Sequence, residues 1–317
     1  MSENILLLAF GVIVIIMLVV DLGVFNKDPH KVSSKEALIW TIVWVLIALA
    51  FSFFIYSNYG WEKTSQYLAA YFVEKSLSVD NLFVFVIIFS FFKVPAQFQH
   101  KVLYWGIIGA IVFRAIFIFT GIWLINLTYL PPMVIFSNVV QLNPVLIIFG
   151  IILLIAGIKT FNKLDEGEDF ADNWTFKLIK KIIPVSKNYD GGKFITIENG
   201  KKIATPLLAC IGVIELTDIV FAIDSIPAIF GISRDPIILY TSNIFAILGL
   251  RAMYFLLANS MDKFFYLKYG LGIILSYIGL KMMVSDFYHI DSTVSLLIVV
   301  TILMISIGLS YFHTAKK

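Results

Sequence analysis

Glu74-Lys75-Ser76-Leu77-Ser78-Val79-Asp80-Asn81-Leu82 aligns without a gap against Asp218-Ile219-Val220-Phe221-Ala222-Ile223-Asp224-Ser225-Ile226. In both copies an acid is followed six residues later by a second acid, then by a small amide or hydroxyl and an aliphatic residue. Both copies lie in apolar stretches. An ionisable side chain at the middle of a membrane helix costs roughly 2.5 to 3.5 kcal/mol, so four acids sum to about 10 kcal/mol before any pairing. A cost of that size points to function, and oxygen-rich acids point to a cation.

Around these cassettes the chain reads as an all-α polytopic membrane protein. Its 317 residues are 60% hydrophobic and 14% charged, with a mean hydropathy of +0.92, which excludes an ordinary soluble domain. Apolar runs give about nine transmembrane helices, near residues 5–25, 37–56, 65–92, 102–125, 144–161, 205–232, 236–258, 267–284 and 294–312. With the N-terminus outside, 18 of the 24 Lys and Arg fall on the inner face. Lys63, Arg234 and Lys281 fall outside, and Lys75, Arg114 and Arg251 lie within spans. This bias predicts an outer N-terminus and a cytoplasmic C-terminus. Met1-Ser2-Glu3-Asn4 lacks the basic start of a signal peptide.

The cassettes fall three helices apart, on the third and sixth spans, so the chain crosses in opposite directions at the two sites. That predicts a three-helix inverted repeat, helices 3–5 against helices 6–8. Arg114-Ala115 recurs as Arg251-Ala252, and Gly157-Ile158-Lys159 as Gly279-Leu280-Lys281. The first copy is 15 residues longer between these landmarks, and the excess lies near 126–143, where Pro131-Pro132 rules out a continuous helix. The organisation is then one membrane domain: two helices in 1–60, repeat one in 65–161, a cytoplasmic loop in 162–204, repeat two in 205–284 and a last helix in 294–317. Within the loop, Phe170, Trp174, Leu178 and Ile182 share a helical face beside Lys177, Lys180 and Lys181, which suits an anionic leaflet. Residues 193–203 read as a hairpin turning at Asn199-Gly200.

At about 100° per residue, Glu74, Ser78 and Asn81 form one stripe and Asp218, Ala222 and Ser225 its counterpart. Asp80 and Asp224 fall roughly 120° away, so either the polar face is wide or the helix breaks there, and Pro227 favours a break at the second site. Glu215 adds a third acid one turn before Asp218. Pairing with Arg114 and Arg251 as structural struts is the plain alternative. Glu74, Asp80, Glu215, Asp218 and Asp224 nevertheless make five negative charges against three positive ones from Lys75, Arg114 and Arg251. Unpaired carboxylates in a low dielectric protonate or hold a metal ion. Asp21, near the inner end of the first span, reads as an interfacial helix-end acid or as a pathway residue.

Carboxylate, hydroxyl and amide oxygens without histidine favour Mg²⁺, Mn²⁺ or Ca²⁺ over zinc or copper. His30, His100, His289 and His313 lie at span ends or in loops and read as solvated residues. The single Cys210 removes intrachain disulfides and dithiol chemistry together. The 29 Phe and 14 Tyr read as lipid-facing and packing surface. No acid sits beside a nucleophile or histidine with catalytic spacing, so no enzyme activity is expected.

Longer strings carry a family resemblance. Glu74 to Asn81, Val94-Pro95 with Gln99-His100-Lys101-Val102-Leu103, Ala204-Thr205-Pro206-Leu207, Glu215 to Ala228, Thr241 to Ala252 and Tyr266 to Gly270 closely resemble the TerC family, in particular its Alx branch of bacterial inner-membrane manganese exporters. The resemblance implies a fold like that of the lysine-exporter superfamily and export of Mn²⁺. It carries over Glu74, Asp80, Glu215, Asp218 and Asp224 as the ion site, with Ser78, Asn81, Ser225, Arg114, Arg251 and Asp21 in support. Mn²⁺ would be cargo, with no resident cofactor, and the other partners would be membrane lipids and not nucleic acid. The family is also discussed under tellurium resistance and redox modulation, and a membrane scaffold of the same fold is the alternative reading. Metal entry among desolvated carboxylates should displace protons, which makes exchange of Mn²⁺ for H⁺ the expected coupling.

Overall fold

The computed structural model describes residues 3–25, 33–135, 138–162, 184–186, 188–198, 200–258, 266–285, 287–288 and 290–315. The expected amphipathic helix at 170–182, His30 and His289 lie outside the described residues. Nine helices are described: α1 (Glu3–Phe25), α2 (Ser34–Phe92), α3 (Ala96–Leu127), α4 (Pro144–Asn162), α5 (Pro206–Phe230), α6 (Pro236–Ile247), α7 (Leu250–Ala258), α8 (Leu267–Val284) and α9 (Ser292–Ala315). By length and composition α2, α3, α5 and α9 can each cross a membrane, and α6 with α7 is apolar enough to make a fifth if the bent pair forms one span. Shorter apolar stretches lie in α1, α4 and α8. The protein is a polytopic all-helical membrane protein.

A straight helix of the 59 residues of α2 would be about 90 Å long, roughly three times the hydrocarbon thickness of a bilayer. Gly60 resolves this by leaving helical geometry at φ 77° and ψ −175°, a backbone state that favours a residue without Cβ. The two halves match the separate expectations for 37–56 and 65–92. At the far end, Lys93 caps α2 in the left-handed region at φ 52°.

One expectation about a break is corrected. The cassette in α5 is not interrupted, since the helix runs through Pro227 to Phe230; only one turn follows the proline, so little of the helix has to absorb the lost bond. The break falls instead between α6 and α7, where Leu248 turns to ψ 131°, Gly249 adopts φ 85°, and the two pieces bend by 40°. The extra residues near 126–143 form a small antiparallel hairpin, β1 (Met133–Ile135) with β2 (Asn138–Val140). Asn143 anchors its return: its Nδ2 donates to the Ile125 carbonyl at 2.7 Å, and its Oδ1 accepts from the Val145 and Leu146 amides.

Every residue from Thr241 to Arg251 is buried, which puts α6 at the centre. Phe245 meets Phe51 at 4.8 Å, Phe10 at 5.7 Å and Tyr67 at 6.4 Å between ring centroids, fastening α1 and α2 around it. Outward faces of α3, α4 and α9 expose Ile116, Trp123, Ile151, Ile155, Met304 and Ile305, as a lipid-facing surface would.

Helix α4 packs on α8 through glycines. A Cβ on Gly157 would lie 2.6 Å from the Gly272 carbonyl oxygen and 2.8 Å from the Ser276 nitrogen, whereas one on Gly279 would lie 2.6 Å from the Gly150 oxygen and 2.8 Å from the Leu154 nitrogen. One offset of 122 relates the two sets, 279 to 157, 272 to 150 and 276 to 154. Reciprocal contacts of this kind are what a two-fold relation between helices produces, and small residues are what lets membrane helices approach so closely.

On the polar side, β3 (Ile195–Glu198) pairs with β4 (Lys201–Ala204) around a two-residue connection in which Gly200 has φ 76°. The segment docks on α3 and α2: Lys101 donates to the Gly192 carbonyl at 2.8 Å and lies over the Phe194 ring, and the Tyr189 hydroxyl donates to the Phe92 carbonyl at 2.7 Å. Within it, the Thr196 hydroxyl and the Lys193 ammonium hold the Asp190 carboxyl below the usual carboxylate range.

Candidate functional site: an arginine between two acidic cassettes

Helices α2, α3 and α5 meet at Arg114, which is fully buried. Its Nη1 donates to Glu74 Oε1 of the first cassette. Its Nη2 donates to Asp218 Oδ1 at 3.0 Å and its Nε to Asp218 Oδ2 at 3.2 Å, a two-pronged grip on the second cassette. A longer contact runs from Nη1 to Asn243 Oδ1 of α6 at 3.4 Å. The leading acids of both cassettes, distant in sequence, are thus brought to one guanidinium. The planar fork of arginine suits this bidentate geometry.

Both polar stripes face inward. Glu74, Ser78 and Asn81 are buried, as are Asp218, Ala222 and Ser225. Ser78 spends its hydroxyl on the Glu74 carbonyl, at 2.8 Å. The Glu215 carboxyl rests against α3 at Gly109, where an added Cβ would overlap it. Glu74 Oε2, Glu215 Oε2 and Ser225 Oγ are buried without a hydrogen-bond partner. The side chains of Asp80 and Asp224 lie outside the described residues, although their backbones are helical. Among the described residues no three carboxylate, imidazole or thiol groups stand close enough to hold a metal ion.

The second arginine does not repeat the first. Arg251 pairs with Asp21 of α1, Nη2 to Oδ1 at 2.8 Å, and also donates to the Asp21 carbonyl. Asp21, near the end of α1, is therefore buried and ion-paired, a strut that holds α1 to α7. The reading of His100 is corrected: it is 7% exposed and packs on Phe255, because the first turns of α3 lie against α7.

Lys75 has a role that counting charges missed. Its ammonium pairs with neither Glu74 nor Asp218 but donates to the carbonyls of Ala246, at 3.0 Å, and Leu248, at 3.4 Å, beside the break between α6 and α7. Asn243 and Gly109 were missed too. The run Thr241-Ser242-Asn243, polar inside an apolar span, was the available signal for the first; nothing in the sequence marks Gly109.

A cavity of about 760 Å³ opens away from the acids, lined by Lys63, Arg234, Asp235, Lys281, Phe230 and Tyr240 among others. It gathers all three basic residues expected on the outer face. Lys63 bridges Asp235 at 2.7 Å, and Lys281 donates to Ser295 at 2.7 Å.

Residues 59–317 match the model of the integral membrane protein TerC family. The chain belongs to the TerC family. It is 44% identical over 298 residues to an uncharacterized membrane protein of Myxococcus xanthus, covering 94% of this chain and 89% of that protein. One from Rickettsia bellii is 42% identical over 94% of both chains. The "putative membrane-bound redox modulator Alx" of Escherichia coli K12 is 41% identical over 321 residues, 97% of this chain and 96% of that one. No solved structure matches.

Proposed function

We propose that this TerC family member is a secondary transporter that exports a divalent cation, Mn²⁺ foremost, across a bacterial inner membrane in exchange for protons, with its N-terminus outside and its C-terminus in the cytoplasm. The observation that carries the reading is the meeting of Glu74 and Asp218, one from each cassette, on a single arginine inside the bundle. Glu74 and Asp218 share one guanidinium, Glu215 stands one turn before Asp218 on α5, and unpartnered buried oxygens on Glu74, Glu215 and Ser225 supply hard donors of the kind Mn²⁺ accepts.

In this account Arg114 is the counter-ion of the metal-free state. An arriving divalent ion competes with the guanidinium for the same carboxylates, with Asp80 and Asp224 completing the donor set. Loss of the shared arginine contact frees one three-helix unit to rock against the other about the α4–α8 glycine contact, and alternating access follows.

Uptake of Mn²⁺, Mg²⁺ and Ca²⁺ into inside-out vesicles tests this. Wild type should accumulate Mn²⁺ with proton counterflow, and Asp80→Asn and Asp224→Asn should each abolish it; equal uptake by all three would refute the site. The second reading, a membrane scaffold, is favoured by the bridging of the acids through Arg114, which alone would serve to hold helices together. It requires that wild type show no flux while Asp80→Asn keeps its protein partners. The names of the Alx relatives speak of redox modulation; in this chain the lone Cys210 is fully buried in α5.

A further inference from the structure

The break between α6 and α7 exposes carbonyl oxygens that a continuous helix would satisfy. In an uninterrupted helix the Ala246 carbonyl would accept from the amide of residue 250, and that of Leu248 from residue 252. With Leu248 extended and Gly249 at φ 85°, the C-terminal end of α6 turns these oxygens aside in the middle of the protein, where every neighbour from Thr241 to Arg251 is buried. The end of a half-helix carries partial negative charge, and freed carbonyls there are the usual ligands of a small cation in a transporter. In this chain the Lys75 ammonium stands at that position, 3.0 Å from one oxygen and 3.4 Å from the other.

We propose that the broken end of α6 is a monovalent-cation site whose cation is built into the chain as Lys75. Three features support it. The ammonium belongs to α2, which carries the first cassette, so it ties α2 to α6 as a bound ion would. The adjacent Glu74 is held by Arg114, which leaves Lys75 without a carboxylate partner among the described residues and gives its charge to the carbonyls. The matching helix of the first repeat, α3, is continuous from Ala96 to Leu127 and has no such end to cap. Among the described residues the site is therefore single, and it is independent of whatever the acids bind.

The test uses the purified full chain with Lys75→Met, which removes the charge at similar length, and Lys75→Gln, which keeps a hydrogen-bond donor without charge. Thermal unfolding is followed in NaCl, KCl, LiCl or N-methyl-D-glucamine chloride at equal ionic strength. Both neutral variants should unfold early in N-methyl-D-glucamine and recover saturably with at least one small inorganic cation. Wild type should be indifferent to the cation. The proposal is overturned if neither variant responds to cation identity, if Lys75→Gln matches wild type in every salt, or if wild type shows the same saturable response. Should neither neutral variant accumulate in cells, Lys75→Arg decides: a folded, cation-indifferent protein supports the proposal, and its loss alongside the neutral variants overturns it.

Discussion

Replacing Arg114 by methionine should be among the most damaging single changes in the membrane interior. The guanidinium is fully buried and makes three charge-assisted contacts, one to Glu74 and two to Asp218. Methionine keeps much of the apolar stem but leaves two buried carboxylates facing each other without their shared cation. Removing one partner of a buried ion pair costs about 3 to 5 kcal/mol, which at about 2 to 4 °C per kcal/mol for a chain of this order of size lowers the unfolding temperature by roughly 6 to 20 °C. Unfolding in detergent is governed by rate, so wild type and variants are compared at one scan speed. The cause is isolated by neutralising the acids: Glu74→Gln with Asp218→Asn in the Arg114→Met background should restore at least half of the loss. An Arg114→Met protein unfolding within about 2 °C of wild type would show that the guanidinium does not hold the two acids, as would a triple variant less stable than the single one.

Three further outcomes are expected. Gly150→Ala and Gly279→Ala each place a Cβ within 2.7 Å of the opposing backbone carbonyl, so each should destabilise by about 1 to 3 kcal/mol, measured as a lowered unfolding temperature; unchanged stability would remove the close α4–α8 contact. Arg251→Leu should raise hydrogen exchange along α1, which loses the buried Asp21 bridge, while leaving exchange near Glu74 unchanged; unaltered exchange in α1 would contradict the strut. Gly109→Ala should push the Glu215 carboxyl from its seat and weaken Mn²⁺ binding roughly tenfold, about 1.4 kcal/mol, with a smaller effect on stability; unchanged affinity would take Glu215 out of the site.

The long apolar runs and the repeated cassette made the helices and the meeting of Glu74 with Asp218 legible, because both rest on costs that lipid imposes on every charge. Less visible were features decided by tertiary context. Pro227 looked like a breaker, yet lies so close to the end of α5 that the helix passes it, whereas the real interruption falls in Ile247-Leu248-Gly249-Leu250, where a lone glycine among aliphatic residues is weak punctuation. Arg114 and Arg251 stand in the same dipeptide, but α1 carries Asp21 to Arg251, whereas Arg114 takes Glu74 and Asp218, a difference that the local sequence does not mark. Lys75 escaped because a tally of acids against bases assumes that a buried ammonium seeks a carboxylate; backbone oxygens released by the break compete for it.

If both cassettes contribute to one metal site, equilibrium binding of Mn²⁺ to the purified protein, followed by electron paramagnetic resonance at fixed pH, will show it. A shared site gives a single bound ion per chain, released protons on binding, and weakened affinity in both Glu74→Gln and Asp218→Asn. No binding, or loss of affinity from changes in one cassette alone, would contradict it.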